Sequence, residues 1–275
     1  MKEKKQQKRK KKKGWDPLSL TVLLIALCVF VFSAYQLAMM MVPYYTGGEE
    51  YDEIKNLAIV SDKIGEGVEE APKFQVDFDK LVQENPDTVA WLRFDQPSII
   101  SYPVVKSADN NEYLTKTFSA NDNKLGAIFM DMRNQNDFSD RNTFIYGHNM
   151  KVGGEMFSQL NEYASEDFYK AHRTIRFDTL GSFGEYEIIS VFKTTVYSEQ
   201  GFSYYHFVNA GSESTFNEYV SKCTELSLYN TGATAKYGDK LITLSTCEYS
   251  RTNGRMVVVA KKICSDSKGR KQNET

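Results

Sequence analysis

Three chemically reactive side chains lie at the ends of β-like segments in this sequence. Cys247 closes an apolar, β-branched run that begins at Leu241, and Arg255 opens a second such run after a polar loop. This pattern predicts two neighbouring strands. His148 ends a third run, which begins at Thr143. A thiol, an imidazole and a fixed guanidinium are the groups that thiolate attack on a peptide carbonyl requires.

The other cysteines fit this chemistry less well. Cys28 lies inside a long apolar segment, and Cys223 lies on the apolar face of a predicted helix, where a thiol usually packs as a small hydrophobic group. Cys264 stands where the last β-like run gives way to a polar tail. Three cysteines outside the apolar segment do not make a disulfide framework, and whether Cys223 and Cys264 pair stays open.

Two more histidines and one more arginine compete for the remaining roles. His172 and His206 lie in helix-like or aromatic polar segments and are interpreted as surface or packing residues, which favours His148 as the acid/base. Arg251 follows the cysteine by only four positions, but it would lie within the loop. Arg255 is held at a strand end, so its guanidinium is the better candidate to stabilise an oxyanion.

Polar residues around the cysteine are candidates for substrate contact. Ser245, Thr246 and Glu248 flank the thiol, although ordinary strand-end polarity explains them equally well. The aromatic segment 204–207 is a candidate wall of a groove. No CxxC motif or Cys/His cluster indicates a metal site, and no cofactor is expected.

The N-terminal region combines a basic tail, residues 1–17, with an apolar segment, residues 18–42. The first thirteen positions hold nine Lys or Arg and one acid, and the apolar segment has 25 uncharged positions, enough to cross a membrane as a helix. Ala34 and Ala38 imitate a signal-peptide cleavage site, but the length favours a retained anchor. The basic flank predicts a single-pass protein with a cytoplasmic N-terminus and can attract anionic lipid headgroups.

The charge distribution argues against a nucleic-acid partner. The whole chain has a net charge of −2 and its first thirteen residues carry +8, so the remainder carries about −10. An acidic exterior domain attracts positively charged substrates or surfaces instead.

The part beyond the anchor is long enough for one domain with a sizeable core. We expect a linker and N-terminal helix over 43–76, a catalytic domain over 77–263 and a polar tail over 264–275. Within the linker, 43–48 is interpreted as an exit segment and 49–70 has helical spacing, typical of a stalk or of a helix packed on the domain. A short helix is predicted over 77–85, ending before Pro86.

From residue 89 onward the pattern favours a β-barrel or sandwich. Eight β-like runs cover 89–94, 98–105, 126–130, 142–146, 174–178, 184–196, 240–246 and 255–263. Helical segments interrupt them at 155–160, 165–172 and 212–228. The last of these directly precedes the strand that delivers the cysteine.

These segments resemble the class B sortases. The runs 243–247 and 254–261 resemble the active-site strand pair of that class, 142–150 resembles its histidine segment, and 85–92 and 102–105 resemble its early strands. The resemblance extends over about 77–263. The cysteine and histidine segments are specific in combination, and neither is sufficient alone.

The resemblance implies a mainly β fold: an eight-stranded sortase barrel with N-terminal helices and a helical insert before the cysteine strand, preceded by one transmembrane helix. It implies a metal-free transpeptidase on the outer face of a Gram-positive membrane. Such enzymes cut a C-terminal sorting signal of surface proteins, often between Thr and Gly, through an acyl-thioester. They then transfer the protein to a peptidoglycan amine. Cys247, His148 and Arg255 occupy the catalytic positions.

Three other interpretations remain open at this point. A membrane-anchored cysteine protease would use the same residues with water as the acceptor, although a papain-like enzyme places its cysteine early and on a helix. A pilus-polymerising sortase would use a lysine of another subunit. A non-catalytic surface module would carry an incidental thiol.

Overall fold

The β-branched runs of the sequence form strands that close into a barrel. The computed structural model describes residues 16–61, 74–94, 99–150, 152–197 and 201–263. The strands are β1 (Ile59–Ser61), β2 (Phe74–Val76), β3 (Thr88–Arg93), β4 (Ser101–Val105), β5 (Ile128–Met130), β6 (Asn142–Tyr146), β7 (Thr174–Thr179), β8 (Glu185–Thr195), β9 (Leu241–Glu248) and β10 (Gly254–Ile263). The last eight form a closed barrel in the order β10-β8-β7-β3-β4-β5-β6-β9, which confirms the predicted eight-stranded barrel.

The helices lie before and between these strands. They are α1 (Pro17–Ala58), α2 (Phe78–Glu84), α3 (Glu166–Ala171) and α4 (Glu213–Leu226), with short 3₁₀ helices at Glu112–Leu114, Ser158–Ala164 and Tyr204–His206. The predicted helices near 77–85 and 212–228 are confirmed. Ser212 caps α4 by accepting a hydrogen bond from the Thr215 N–H at 3.2 Å, which stabilises the first turn.

Two strand pairings position the cysteine and histidine segments. β6 and β9 run parallel, with Tyr146 opposite Ser245, whereas β9 and β10 run antiparallel, with Cys247 opposite Arg255. A parallel pair requires a long crossover connection. The chain between β6 and β9 supplies it and contains α3, α4, β7 and β8.

The barrel wall separates two apolar cores because successive strand residues face opposite sides. Ile242 and Leu244 of β9 and Val258 of β10 face the inner core. The neighbouring positions of β6, β9 and β10 face an outer core that is covered by α4. The outer core contains Phe144, Leu241, Val257 and Val259 of these strands together with Phe216, Tyr219, Val220 and Cys223 of α4.

The N-terminal helix differs from the prediction. The segment 43–48, interpreted as an exit segment, is helical, because α1 continues through these residues to Ala58. The helix predicted over 49–70 is present to Ala58 and is wrong at 59–61, where β1 pairs with β2. Its remainder, 62–70, lies outside the described part of the chain. Pro43 and the Gly47-Gly48 pair are usual helix breakers, but packing of Tyr51, Ile54 and Ala58 against the core overrides their low helix propensity.

The chain divides into two units, residues 1–43 and 44–275. The first contains the apolar part of α1. Among the described residues, α1 is the one helix long and apolar enough to cross a membrane, with a mean hydropathy of 2.5 over its most apolar window. The second unit contains the barrel. The basic residues 1–15 and the predicted tail 264–275 lie outside the described residues.

Candidate active site

Three strands project side chains with the same alternation toward one outer face of the barrel. On β9, Ser245 and Cys247 share the face of Leu241; on β10, Arg255 shares the face of Val257. This face is the apolar outer core under α4 until the strands reach their ends, where polar side chains replace apolar ones. The reactive groups therefore lie on the outer wall of the barrel, above an apolar floor.

Cys247 and Arg255 are direct partners across the β9–β10 ladder. Directly opposed residues of an antiparallel pair have Cα atoms about 5 Å apart and point to the same side. Arg255 is half-buried and donates from Nη1 to its neighbouring Gly254 carbonyl at 2.9 Å, which restrains the guanidinium. Arg251 is exposed in the connecting loop and is not among the residues that line the cleft.

His148 reaches the same place because β6 lies parallel to β9. Two residues beyond the Tyr146–Ser245 pairing, the register brings residue 148 beside residue 247. Side-chain hydrogen bonds continue the pairing past the end of β6. Asn149 Nδ2 donates to the Cys247 carbonyl and Thr246 Oγ1 donates to the Gly147 carbonyl, each at 2.8 Å.

The imidazole is fixed from its other side by the loop at 113–126. His148 Nε2 lies 2.7 Å from the Leu114 carbonyl oxygen. A carbonyl only accepts hydrogen bonds, so Nε2 carries the proton in this arrangement. Gly126 has φ +64°, and a Cβ there would lie 2.8 Å from His148 Cδ2, so the ring packs where only glycine leaves room.

A cleft of about 360 Å³ joins the three side chains. Its described lining residues are Asn110, Leu114, Phe129, Asp131, Arg133, Tyr146, Gly147, His148, Val196, Tyr197, Tyr204, Tyr205, His206, Ser245, Thr246, Cys247 and Arg255. A larger cavity, about 520 Å³, lies beside Lys240 and Leu241 at the opposite end of β9, and its described lining contains no cysteine or histidine. The smaller cleft is therefore the candidate active site.

Of the three predicted substrate-contact residues, Ser245 and Thr246 line the cleft and Glu248 does not. Ser245 lines the cleft and its Oγ lies 2.6 Å from the Tyr204 hydroxyl. Thr246 also lines the cleft, although its hydroxyl is committed to Gly147. The Glu248 carboxylate is bound instead by Lys193 Nζ at 3.2 Å and by Ser250 Oγ at 2.6 Å. Burial acts to raise the pKa of Glu248, but the hydrogen bonds from Ser250 and Lys193 outweigh it. The pKa of this carboxyl therefore lies below its ordinary value.

The aromatic segment 204–207 forms one wall of the cleft. Tyr204, Tyr205 and His206 line it, so His206 belongs to the cleft although it is exposed, whereas Phe207 is buried in the outer core. Burial raises the pKa of Tyr204 to about 12, partly offset by its hydrogen bond to Ser245. Tyr204 therefore stays protonated near neutral pH.

Sequence reasoning missed a buried ion pair in the cleft. Asp131 is fully buried and accepts from Arg133 Nε at 2.8 Å, from Arg133 Nη2 at 2.7 Å and from the Tyr146 hydroxyl at 2.9 Å. Arg133 Nη2 also donates to the Tyr205 carbonyl at 2.8 Å, which ties the aromatic wall to the barrel. The sequence contains a signal for this pair, since an acidic and a basic residue, Asp131 and Arg133, stand two positions apart directly after β5.

The competing thiol and imidazole are placed elsewhere. Cys223 lies on the buried face of α4, and burial raises the pKa of its thiol to about 12. His172 is buried, and its Nδ1 lies 2.9 Å from the Phe168 carbonyl, consistent with the predicted packing role. Cys264 lies outside the described residues. Within the described part of the chain, no group of three or more His, Cys, Asp or Glu residues has the arrangement of a metal site.

Comparisons with known proteins agree on one family. The sortase domain matches residues 96–263, more than half of the chain. Sortase B of Listeria monocytogenes is 32% identical over 255 residues, which cover 90% of this chain and 97% of that protein. Sortase B from B. anthracis in complex with AAEK1 is 34% identical, with a TM-score of 0.66, and the match covers 81% of this chain and 99% of that one. The Staphylococcus aureus sortase B–substrate complex is 31% identical, with a TM-score of 0.61, and the match covers 68% and 84% of the two chains.

Proposed function

Because this chain belongs to class B of the sortase family, whose members are cysteine transpeptidases that anchor surface proteins, we propose that Cys247, His148 and Arg255 carry out the transfer. The observation that supports this assignment is the shared cleft. Three side chains far apart in the sequence line one depression of about 360 Å³ on the outer barrel wall. The remaining described cysteines lie in the outer core and in the apolar helix.

The first half of the proposed reaction forms a thioester. The Cys247 thiolate attacks the carbonyl carbon of the scissile peptide bond, and the His148 imidazolium gives its proton to the departing amine. The bond that breaks is the peptide C–N bond, and the one that forms is the S–C bond to the acyl group. We assign the scissile bond to a Thr–Gly pair in a C-terminal sorting signal, by resemblance to the family.

The second half transfers the acyl group. Neutral His148 removes a proton from an incoming amine, which attacks the thioester carbonyl and releases the Cys247 thiolate. We propose that the amine belongs to a peptidoglycan precursor or cross-bridge. In the S. aureus relative, a structure with substrate has been solved, which supports a peptide-binding role for the corresponding cleft.

Both tetrahedral intermediates place negative charge on the former carbonyl oxygen. Arg255 lies directly across the ladder from the nucleophile, so its guanidinium is close to where that charge develops. We propose Ser245 and Thr246 as contacts for the signal peptide, since both line the cleft. Glu248 is assigned a supporting role, because its carboxylate holds Lys193 and Ser250.

We propose that the apolar part of α1 anchors the enzyme in the cell membrane. Its uncharged length and mean hydropathy support a single span, and the basic tail supports a cytoplasmic N-terminus with contact to anionic lipids. The catalytic domain is then outside the cell, where its surface-protein substrates and the cell wall are found.

The test uses the full chain in detergent micelles and a library of peptides that resemble sorting signals. Mass spectrometry is expected to detect an acyl adduct on Cys247, and an added amine is expected to divert the product from the free acid to the amide. A Cys247→Ala variant is the control. Cleavage that persists in this variant, or an adduct on another residue, overturns the assignment, and products that stay free acids at every amine concentration indicate a hydrolytic protease instead.

A further inference from the structure

The end of α1 that follows the apolar segment is bonded to the loop that holds His148. Glu50 Oε1 accepts from the Ser119 N–H at 3.0 Å, and Glu50 Oε2 accepts from Thr117 Oγ1 at 2.9 Å. The Tyr51 hydroxyl donates to the Gly126 carbonyl at 2.8 Å and accepts from the Phe118 N–H at 3.1 Å. One turn of helix therefore binds the loop in its middle and at its C-terminal end.

The same loop contacts the imidazole at two points. Its Leu114 carbonyl lies 2.7 Å from His148 Nε2, and its Gly126 backbone packs against the ring. The two ends of the loop are joined by a hydrogen bond, in which the Ala127 N–H donates to the Tyr113 carbonyl at 3.0 Å. The Tyr51 hydroxyl is thus bonded to a backbone group of the residue on which the ring rests.

The helix approaches this loop unusually closely. Gly47 is buried, and a Cβ at this position would lie 2.8 Å from Leu125 Cδ2 and 3.3 Å from Leu125 Cβ. Gly48, next in the helix, would place its Cβ 3.5 Å from Glu155 Oε1, an ordinary contact. Glycine costs stability inside a helix, so Gly47 is explained by the need for close approach rather than by helix formation.

We propose that Glu50 and Tyr51 are positioning residues for His148, acting through the loop at 113–126. The membrane-proximal helix then does more than connect the anchor to the barrel: it sets the position of the catalytic imidazole. Tyr51 is 2% exposed and is packed edge-on against Tyr102 with ring centroids 5.3 Å apart, so its hydroxyl has a fixed direction. This proposal rests on the proposed role of His148.

The decisive experiment compares Tyr51→Phe with Tyr163→Phe in the full chain. Tyr163 is the matched control, because its buried hydroxyl donates to the His172 carbonyl at 2.7 Å, away from the cleft lining. Tyr51→Phe is expected to lower kcat by about 10- to 100-fold with KM within about twofold, the scale expected when a catalytic group is misplaced by about 1 Å. Tyr163→Phe is expected to leave both constants within about twofold.

A second measurement separates positioning from general loss of structure. In protein labelled with ¹⁵N at histidine, the Nε2–H signal of His148 is expected to broaden or exchange faster in Tyr51→Phe, while the His206 signal is unchanged. Alkylation of Cys247 is expected to proceed at the wild-type rate. If Tyr51→Phe fails to fold, Glu50→Gln replaces it with the same expected pattern.

The glycine pair gives an independent comparison. Gly47→Val is expected to push the helix away from Leu125 and reproduce the loss in kcat, whereas Gly48→Val is expected to retain wild-type kcat. Wild-type kcat and an unchanged His148 signal in both Tyr51→Phe and Gly47→Val overturn the positioning role. A loss in kcat that is fully explained by a smaller fraction of folded protein also overturns the positioning role. Failure of the wild-type chain to form any thioester on Cys247 would instead refute the proposed function itself.

Discussion

Arg255 stands directly opposite Cys247 across two antiparallel strands, with no flexible segment between either residue and the barrel wall. The separation of guanidinium and sulfur is therefore set mainly by the hydrogen-bonded ladder. Cationic side chains on loops must be ordered before they can act, and that ordering costs conformational entropy. Placement on the ladder avoids most of this cost, since only the side-chain rotamer remains to be fixed.

Replacement of Arg255 by lysine tests whether the planar guanidinium is needed. Lysine keeps the charge but presents a single ammonium in place of a fork of donors. We expect Arg255→Lys to lower kcat by about 10²- to 10³-fold, the usual cost of losing one oxyanion donor, with a smaller effect on KM. Steady-state kinetics of peptide transfer by the full chain measures both constants.

Arg251→Lys is the matched control for this prediction. Arg251 is exposed in the β9–β10 loop, so its replacement is expected to change kcat by less than about twofold. Equal losses in the two variants, or a larger loss at Arg251, would transfer the oxyanion role to the loop arginine.

Cys247 in the cleft and Cys223 in the outer core are expected to react differently with an alkylating agent. Iodoacetamide should modify Cys247 in the folded chain and leave Cys223 unmodified until denaturant is added, because burial raises the pKa of Cys223 to about 12. Peptide mapping after timed alkylation measures this. Cys223→Ala should keep transfer activity and lower the free energy of unfolding by about 1 kcal/mol, since it leaves a small cavity. Loss of activity in Cys223→Ala, at full folding, would contradict the assignment of the nucleophile.

Tyr204 and Ser245 form a buried hydroxyl pair beneath the reactive groups. Their oxygens are 2.6 Å apart, and Ser245 lies two residues before Cys247 on the same strand face. We expect Tyr204→Phe and Ser245→Ala each to lower the free energy of unfolding by about 1 kcal/mol, with the double variant costing less than the sum. Urea unfolding of the four proteins gives the coupling energy, and strict additivity would show that the pair does not interact.

The barrel could be predicted because its strands repeat a local pattern. Each run of β-branched residues between turn residues became a strand within about three positions at either end, as β6 and β10 illustrate. The cysteine, histidine and arginine were also singled out, since Cys247 and His148 end apolar runs and Arg255 begins one, and all three line one cleft. What the pattern could not provide is strand order, because pairing depends on contacts between distant segments.

The misses have physical causes of the same kind. The pattern separated an exit segment at 43–48 from the helix after it, but α1 is continuous to Ala58, and Tyr51, Ile54 and Ala58 near its end pack in the apolar core. The Asp131–Arg133 pair was overlooked because an isolated charge pair in a sequence is usually solvated. Only the fold shows that Asp131 is buried and that Tyr146 and Arg133 share its carboxylate.

Two buried aspartates predict opposite effects of pH on stability. The folded-state pKa of Asp131 lies below the ordinary value of 3.8, because hydrogen bonds from Arg133 and Tyr146 outweigh the opposing effect of burial. Asp178 lies 3.6 Å from Arg93 Nε, yet burial dominates and raises its pKa above 3.8. A depressed carboxyl pKa contributes stability above the unfolded-state pKa, and this contribution is lost as pH falls through the folded-state value. A raised pKa contributes stability below the unfolded-state pKa that is lost as pH rises through the folded-state value.

We therefore expect the difference in free energy of unfolding between wild type and Asp131→Asn to be greatest at pH 6–7 and to shrink as the pH falls below about 4. For Asp178→Asn the difference should instead favour the wild type most in acid and decline as the pH rises above about 4. Each unit of pKa difference between folded and unfolded states corresponds to about 1.4 kcal/mol. Urea unfolding of the full chain at several pH values measures both slopes.

Because Asp131 also ties Tyr205 to the cleft through Arg133, only Asp131→Asn should raise KM for the signal peptide. Slopes of the same sign in the two variants would mean that the ion pair in the cleft does not offset the burial of Asp131.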